Sequence, residues 1–173
     1  MSYGAQKLIG EILVDDFSRR DWVDGVSLRI PGVLARPPAP TGQLSAFLSD
    51  IIRELAAGRP FVCPMSASAT TWASSLGNVV DNLLHAATLP HYALSRTRTF
   101  TLPTTRFSMA ELVEAIGALR GNDTHPRVSY EPDERIESLF GRFPPLETPE
   151  AEQAGFHRDA DLRELVKRSL DSF

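Results

Sequence analysis

The chain has one cysteine in 173 residues, Cys63, so it can form no internal disulfide and no cysteine zinc cluster. That usage fits a reducing, cytoplasmic compartment. No apolar run approaches the roughly 20 residues that span a bilayer, so no membrane partner is expected. The N-terminus lacks a charged start followed by an unbroken apolar stretch, and no secretory leader is expected. Basic charge is not in excess. The 18 Lys and Arg face 22 Asp and Glu, a formal charge of −4, which removes the electrostatic reason to expect a nucleic acid partner. His85, His91, His125 and His157 show no metal-ligand spacing. A phosphate-binding glycine loop is also missing. The nearest candidate, Ile116-Gly-Ala-Leu-Arg-Gly121, lacks the fingerprint spacing and ends a helix where the fingerprint would follow a strand.

Hydrophobic residues make up 42% of the chain, enough for a core. Residues 4–20 read as a helix, with Leu8, Ile9, Ile12, Leu13 and Phe17 at helical spacing. Val26–Ile30 reads as a strand stopped by Pro31 and Gly32, and Pro37, Pro38, Pro40 and Gly42 make 34–43 a loop. A second helix runs over 44–57, terminated by Gly58. Short strands are expected near 61–64 and 70–73. Over 75–88, Leu76, Val79, Val80, Leu83, Leu84 and Ala87 form one apolar helical stripe that leaves His85 partly exposed. A strand near 98–102 leads to a helix opened by a Ser108/Glu111 capping box. A strand at 128–130 and helices near 132–140, 148–154 and 159–171 complete the reading. The order is mixed, so the expected class is α/β or α+β.

The opening Met1-Ser-Tyr-Gly-Ala-Gln-Lys7 sets Tyr3 and Lys7 four residues apart on one helix face. An ammonium beside a phenol favours the phenolate, and such a phenol can exchange a proton with a substrate hydroxyl near neutral pH. The same spacing also arises from an exposed aromatic ring followed by a solvated lysine. Composition leaves both readings open.

Ser2-Tyr-Gly-Ala-Gln-Lys-Leu-Ile-Gly-Glu11 resembles the active-site helix of the extended short-chain dehydrogenase/reductase family, also called the NAD-dependent epimerase/dehydratase family. Asp24-Gly-Val-Ser-Leu-Arg-Ile-Pro-Gly-Val33 is similar to the strand that follows there. Ser45–Glu54, Gly58 and Val62-Cys-Pro64 resemble the branch acting on four-carbon sugar acids such as D-erythronate. Thr71–Ser75, Asn78–Ala86, Tyr130–Asp133 and Gly155–Leu170 continue the resemblance to the end of the chain.

The resemblance implies the C-terminal half of a Rossmann-type α/β enzyme. Residues 1–33 would end the dinucleotide-binding domain and 34–173 would form mainly a small α/β substrate domain, with 70–90 a segment that returns to the Rossmann sheet. It implies Tyr3 as general acid/base, Lys7 as the group that depresses its pKa and holds the nicotinamide ribose, and Pro31, Gly32 and Val33 as lining of the nicotinamide pocket. The cofactor would be NAD, with NADP an alternative. Arg36, Ser45, Phe47, Arg53 and Trp72 are candidates for the substrate end, where an arginine fork suits a sugar-acid carboxylate. For Arg53 a solvated side chain is an equal alternative, and for Trp72 a place in the core or pocket wall. Arg29 reads either as a structural ion pair or as a substrate or cofactor contact, Cys63 as a buried small hydrophobe, and Glu147–Asp161 as a solvated acidic face.

The family's glycine fingerprint and its catalytic serine or threonine precede the tyrosine, where this sequence has only Met1 and Ser2. The chain alone is therefore expected to bind NAD weakly and to associate with itself or with a missing N-terminal half. A nucleotide-sugar epimerase or dehydratase uses the same tyrosine and lysine and remains an alternative, as does a non-catalytic binding or assembly protein.

Overall fold

A computed structural model describes residues 2–37, 44–90, 94, 97–121 and 124–171. Pro38, Pro40 and Gly42 of the expected loop, and His91, lie outside them. The chain begins with α1 (Ser2–Arg19), β1 (Ser27–Arg29) and β2 (Gly32–Leu34). A 3-10 turn at Leu44–Ala46 opens α2 (Phe47–Ala56), followed by β3 (Phe61–Cys63), β4 (Thr70–Ser75) and α3 (Leu76–Ala86). After these come β5 (Thr99–Thr101), β6 (Thr105–Ser108), α4 (Met109–Arg120) and a 3-10 turn at His125–Arg127. β7 (Val128–Tyr130), α5 (Glu134–Phe140), α6 (Pro149–Gln153) and α7 (Leu162–Leu170) complete the order. The class is mixed α/β with parallel strand pairs, as the sequence led one to expect.

The strands form three small sheets. β1 pairs in parallel with β5, β3 in parallel with β7, and β4 lies between parallel β2 and antiparallel β6. Pro31 ends β1, but Gly32 does not stop the extended chain. It opens β2, and a Cβ there would sit 3.1 Å from the Trp72 carbonyl oxygen of β4. Gly58 ends α2 as expected, in the left-handed region at φ 73°. Its N–H bonds the Leu55 carbonyl, and the Arg59 N–H reaches back to the Glu54 carbonyl. β6 was not anticipated, because Thr105-Arg-Phe-Ser108 carries one buried apolar side chain, Phe107, and shows no period of its own.

Two cores result. The larger packs α2, α4 and α7 on the β2–β4–β6 sheet, with Ile51, Ile52, Leu55, Leu112, Ile116 and Leu165 fully buried. The smaller joins Phe100 and Leu102 to Ala151 and Phe156, with Val26 and Leu28 beside them.

α3 departs from the sequence reading. Its apolar stripe does not face a core, for Leu76, Val80, Leu83 and Leu84 are exposed, while Asn78, Val79 and Asn82 are buried. The buried side holds a polar seam. Both asparagine Nδ2 groups donate to the His157 carbonyl, at 3.0 and 2.8 Å, and the His157 N–H donates to Asn82 Oδ1 at 3.1 Å. Asp159 accepts from the Ser75 N–H at 2.9 Å and its Oγ at 2.6 Å, anchoring the residue that caps α3. Asp159 is therefore a buried structural carboxylate and not part of a solvated acidic face. His85 is half-buried, as expected, with Nε2 2.8 Å from the Ala154 carbonyl oxygen. α1 also shows apolar side chains to the outside, and Ser18 is its one buried residue.

The capping box of α4 is complete. Ser108 Oγ accepts from the Glu111 N–H at 3.2 Å, and Glu111 Oε2 accepts from the Ser108 N–H at 2.7 Å. The backbone donor first, then the Ser108 hydroxyl, holds the Glu111 carboxyl below its ordinary 4.5. A carboxyl with a depressed folded-state pKa stabilises above its unfolded pKa, and this contribution is lost as pH falls through the folded value. Ser108→Ala should lower stability by about 1 kcal/mol at neutral pH in urea denaturation. Glu111→Gln should narrow the wild type's loss of stability between about pH 7 and about pH 3. An unchanged wild-type pH slope in the Gln variant would contradict the assignment.

Candidate active site at the first helix

Tyr3 and Lys7 lie one turn apart in α1, which opens without an acidic first turn. The Lys7 ammonium sits 5.3 Å from the centre of the Tyr3 ring, within cation–π range. Tyr3 is 67% exposed. Both line an open groove of about 580 Å³ whose other wall is Ser27–Arg29 of β1 and Ile30 after it. Glu11 lies one further turn along the same face, between the two walls. Arg29 donates to it through Nε at 2.8 Å and Nη2 at 2.7 Å, a bidentate pair. Of the two readings open for Arg29, the structure contains the ion pair. The guanidinium holds the Glu11 carboxyl below its ordinary range, and the carboxylate raises Arg29 in turn.

The other candidates occupy a second region. Pro31, Gly32 and Val33 are half-buried, and Gly32 and Val33 belong to β2, opposite Ala73 and Ser74 of β4. Arg36 is exposed. Its N–H donates to Ser49 Oγ at 3.0 Å, and its carbonyl accepts from Arg53 Nη1 at 2.6 Å. Arg53 also pairs with Asp50, so its guanidinium is held against the protein. Ser45 lies half-buried in the 3-10 turn before α2, and Phe47 is 8% exposed in the larger core. Trp72 is half-buried, donates from Nε1 to the Pro144 carbonyl at 2.7 Å and packs on Phe143 at 4.5 Å between ring centres. Cys63 is buried, and desolvation pushes its thiol up, against a nucleophilic role. The structure thus gathers Tyr3 with Lys7, and separately Arg36 with Arg53. It adds Glu11, whose signal in the sequence is its place four residues after Lys7 and eight after Tyr3.

The family resemblance implies a dinucleotide, and the described residues fit one end of it. The groove beside Tyr3 and Lys7 is open and offers a hydroxyl and an ammonium, which suit a ribose and the carbonyl or hydroxyl next to it. The pyrophosphate end lacks a counterpart among the described residues. The two direct strand-to-helix junctions, at Ser75 and Ser108, have no glycine loop, and their first amides are taken by Asp159 and by the Ser108/Glu111 box.

No protein-family model matches the chain. The D-erythronate dehydrogenase of Cupriavidus necator is 35% identical over 171 residues, 98% of this chain and 53% of that protein. The D-erythronate dehydrogenase of Haemophilus influenzae is 30% identical, again over 98% of this chain and 54% of the relative. Among solved structures, a nucleoside-diphosphate-sugar epimerase from Agrobacterium tumefaciens superposes with a TM-score of 0.89 at 30% identity, over 98% of this chain and 50% of its own. The L-threonine dehydrogenase of Phytophthora infestans shares the fold, with a TM-score of 0.81 at 22% identity, over 98% of this chain and 54% of its own. The chain spans about half the length of the curated relatives it matches. The resemblance read from the sequence is borne out along nearly the whole chain, by relatives in sequence and by epimerase and dehydrogenase neighbours in fold.

Proposed function

We propose that this relative of the D-erythronate dehydrogenases supplies the acid–base residues and the substrate domain of an NAD-dependent oxidoreductase acting on a secondary hydroxyl of a four-carbon sugar acid such as D-erythronate. The observation that carries this reading is the Tyr3–Lys7 pair, set side by side in an open groove against β1. The 35% identity to a D-erythronate dehydrogenase supports the substrate class. Tyr3 Oη would take the substrate's hydroxyl proton as the carbinol carbon loses hydride. Lys7 would stabilise the phenolate and hold a ribose hydroxyl. NAD, when bound, supplies the hydride acceptor. Pro31, Gly32 and Val33 would line the nicotinamide side, beyond the carboxyl end of β1, where ligands of open α/β sheets sit. Arg36 and Arg53, with Ser45 and Trp72, would border the substrate, while Phe47 packs in the larger core.

The division at residue 33 into the end of a dinucleotide-binding domain and a smaller substrate domain is part of this proposal. The smaller core joins Val26 and Leu28 to residues at 86–102 and 151–156, so on this reading the first domain also takes in segments from beyond residue 33. A nucleotide-sugar epimerase is the second reading, favoured by the superposition on the Agrobacterium epimerase. A panel of four-carbon sugar acids and nucleotide sugars separates the two.

In the protein as the gene encodes it, Tyr3→Phe should lower turnover of a sugar-acid substrate with NAD by roughly a hundredfold or more. Lys7→Met should lower turnover and weaken NAD binding together. Near-normal turnover in the Phe variant would remove Tyr3 from the chemistry.

The exposed faces imply a partner. Leu8, Ile9, Ile12 and Leu13 of α1 and Leu83 and Leu84 of α3 are open. If roughly 500 Å² of such surface is left bare, about 12 kcal/mol of burial is forgone at about 25 cal/mol per Å². That is comparable with the stability of a whole domain. The partner is a second copy or the remainder of the relatives' length. Light scattering on the purified chain at tens of micromolar should show dimers or larger species. A monodisperse, cooperatively melting monomer would contradict this.

A further inference from the structure

α1 carries Tyr3 and Lys7, yet it is held to the described structure at few points. Near its C-terminal end Ser18 Oγ accepts from the Gly25 N–H at 3.1 Å. Val14 packs so closely on Gly25 that a Cβ there would fall 2.7 Å from Val14 Cγ1. Further towards the N-terminus, the Glu11–Arg29 pair is the polar link from the helix to β1. Ser18 meets the chain before β1 and Glu11 meets its last residue, so α1 runs antiparallel to β1. Tyr3 and Lys7 therefore project past the end of the strand.

The lever arms follow from the helix rise. Tyr3 lies about 12 Å from Glu11 and about 22 Å from Ser18 at about 1.5 Å per residue. Without the Glu11 anchor the next attachment is Val14, about 16 Å from Tyr3, so a tilt of about 5° moves Tyr3 by about 1.4 Å where the anchored helix moves it by about 1 Å, and a helix freed of the pair can tilt further. Displacements of that size are enough to disable a reacting geometry. We propose that Glu11 and Arg29 are positioning residues, whose bidentate pair fixes the projecting end of α1 so that Tyr3 and Lys7 keep one place beyond β1. The catalytic part of this statement rests on the function proposed above. The mechanical part does not.

A partly exposed ion pair adds little to global stability, so the pair's effect belongs in geometry. Arg29 is 54% exposed and Glu11 17% exposed. The test is a set of Glu11→Gln, Arg29→Gln and the swapped double variant Glu11→Arg with Arg29→Glu, each in the protein as encoded. Amide hydrogen exchange is read over residues 2–10 and over 15–19, beside kcat, KM and Tm. Each single variant should speed exchange over 2–10 and leave 15–19 unchanged. It should also lower kcat roughly tenfold or more, with KM and Tm nearly unchanged. The swapped pair should restore most of both losses. Wild-type exchange over 2–10 in the single variants would overturn the tether. Faster exchange with wild-type kcat would overturn its positioning role. If the protein shows no turnover, or Tyr3→Phe does not reduce it, the function reading fails separately, and the exchange data alone decide whether the tether exists.

Discussion

Parallel pairing governs this molecule. Two parallel strands cannot be joined by a tight turn, so each pair encloses a long crossover. Ser27 of β1 pairs with Thr99 of β5, 99 − 27 = 72 residues later. Gly32 of β2 pairs with Ala73 of β4, and Phe61 of β3 with Val128 of β7. The β2–β4 crossover lies within the β1–β5 crossover, while the β3–β7 crossover starts inside both and ends outside. Each such pairing brings together residues far apart in the chain. Hence the larger core, built on α2, α4 and α7, is assembled from segments between and after the strands of the smaller one.

The site depends on the same geometry. β1 meets a single partner strand among the described residues, and α1 is linked to it by the Glu11–Arg29 pair, with its apolar residues exposed. A helix that carries the candidate pair Tyr3 and Lys7 on so open a surface needs specific attachment. Ser18, Val14 and the Glu11–Arg29 pair supply it. The opposite arrangement holds at α3, where a buried polar seam of Asn78, Asn82 and Asp159 fixes the helix and leaves the leucines outside.

The sequence made the element order largely legible, because helix caps and strand punctuation are local. Ser108, Glu111, Gly58 and Pro31 act where they stand. What it concealed was direction. The stripe of α3 has a clear period, but periodicity does not say which side meets the core, and here asparagines satisfied by the His157 backbone take the inner side. Asp159 sits in an acidic stretch that reads as solvent-facing, and its long-range partners, Ser75 and Arg168, are what the local sequence does not show. Tyr3 and Lys7 were legible as a pair from their spacing. Glu11 was visible in the same motif, but its role needed the partner that β1 brings to it.

The proposed activity is direct hydride transfer to NAD from a secondary carbinol beside Tyr3. It is tested by following the label from a four-carbon sugar acid carrying deuterium on that carbon, incubated with NAD and the protein as encoded. Mass spectrometry should find the deuterium on the reduced nicotinamide, in proportion to the oxidised product. Product formed with the label lost to water, or no transfer at saturating substrate and NAD, would contradict the account.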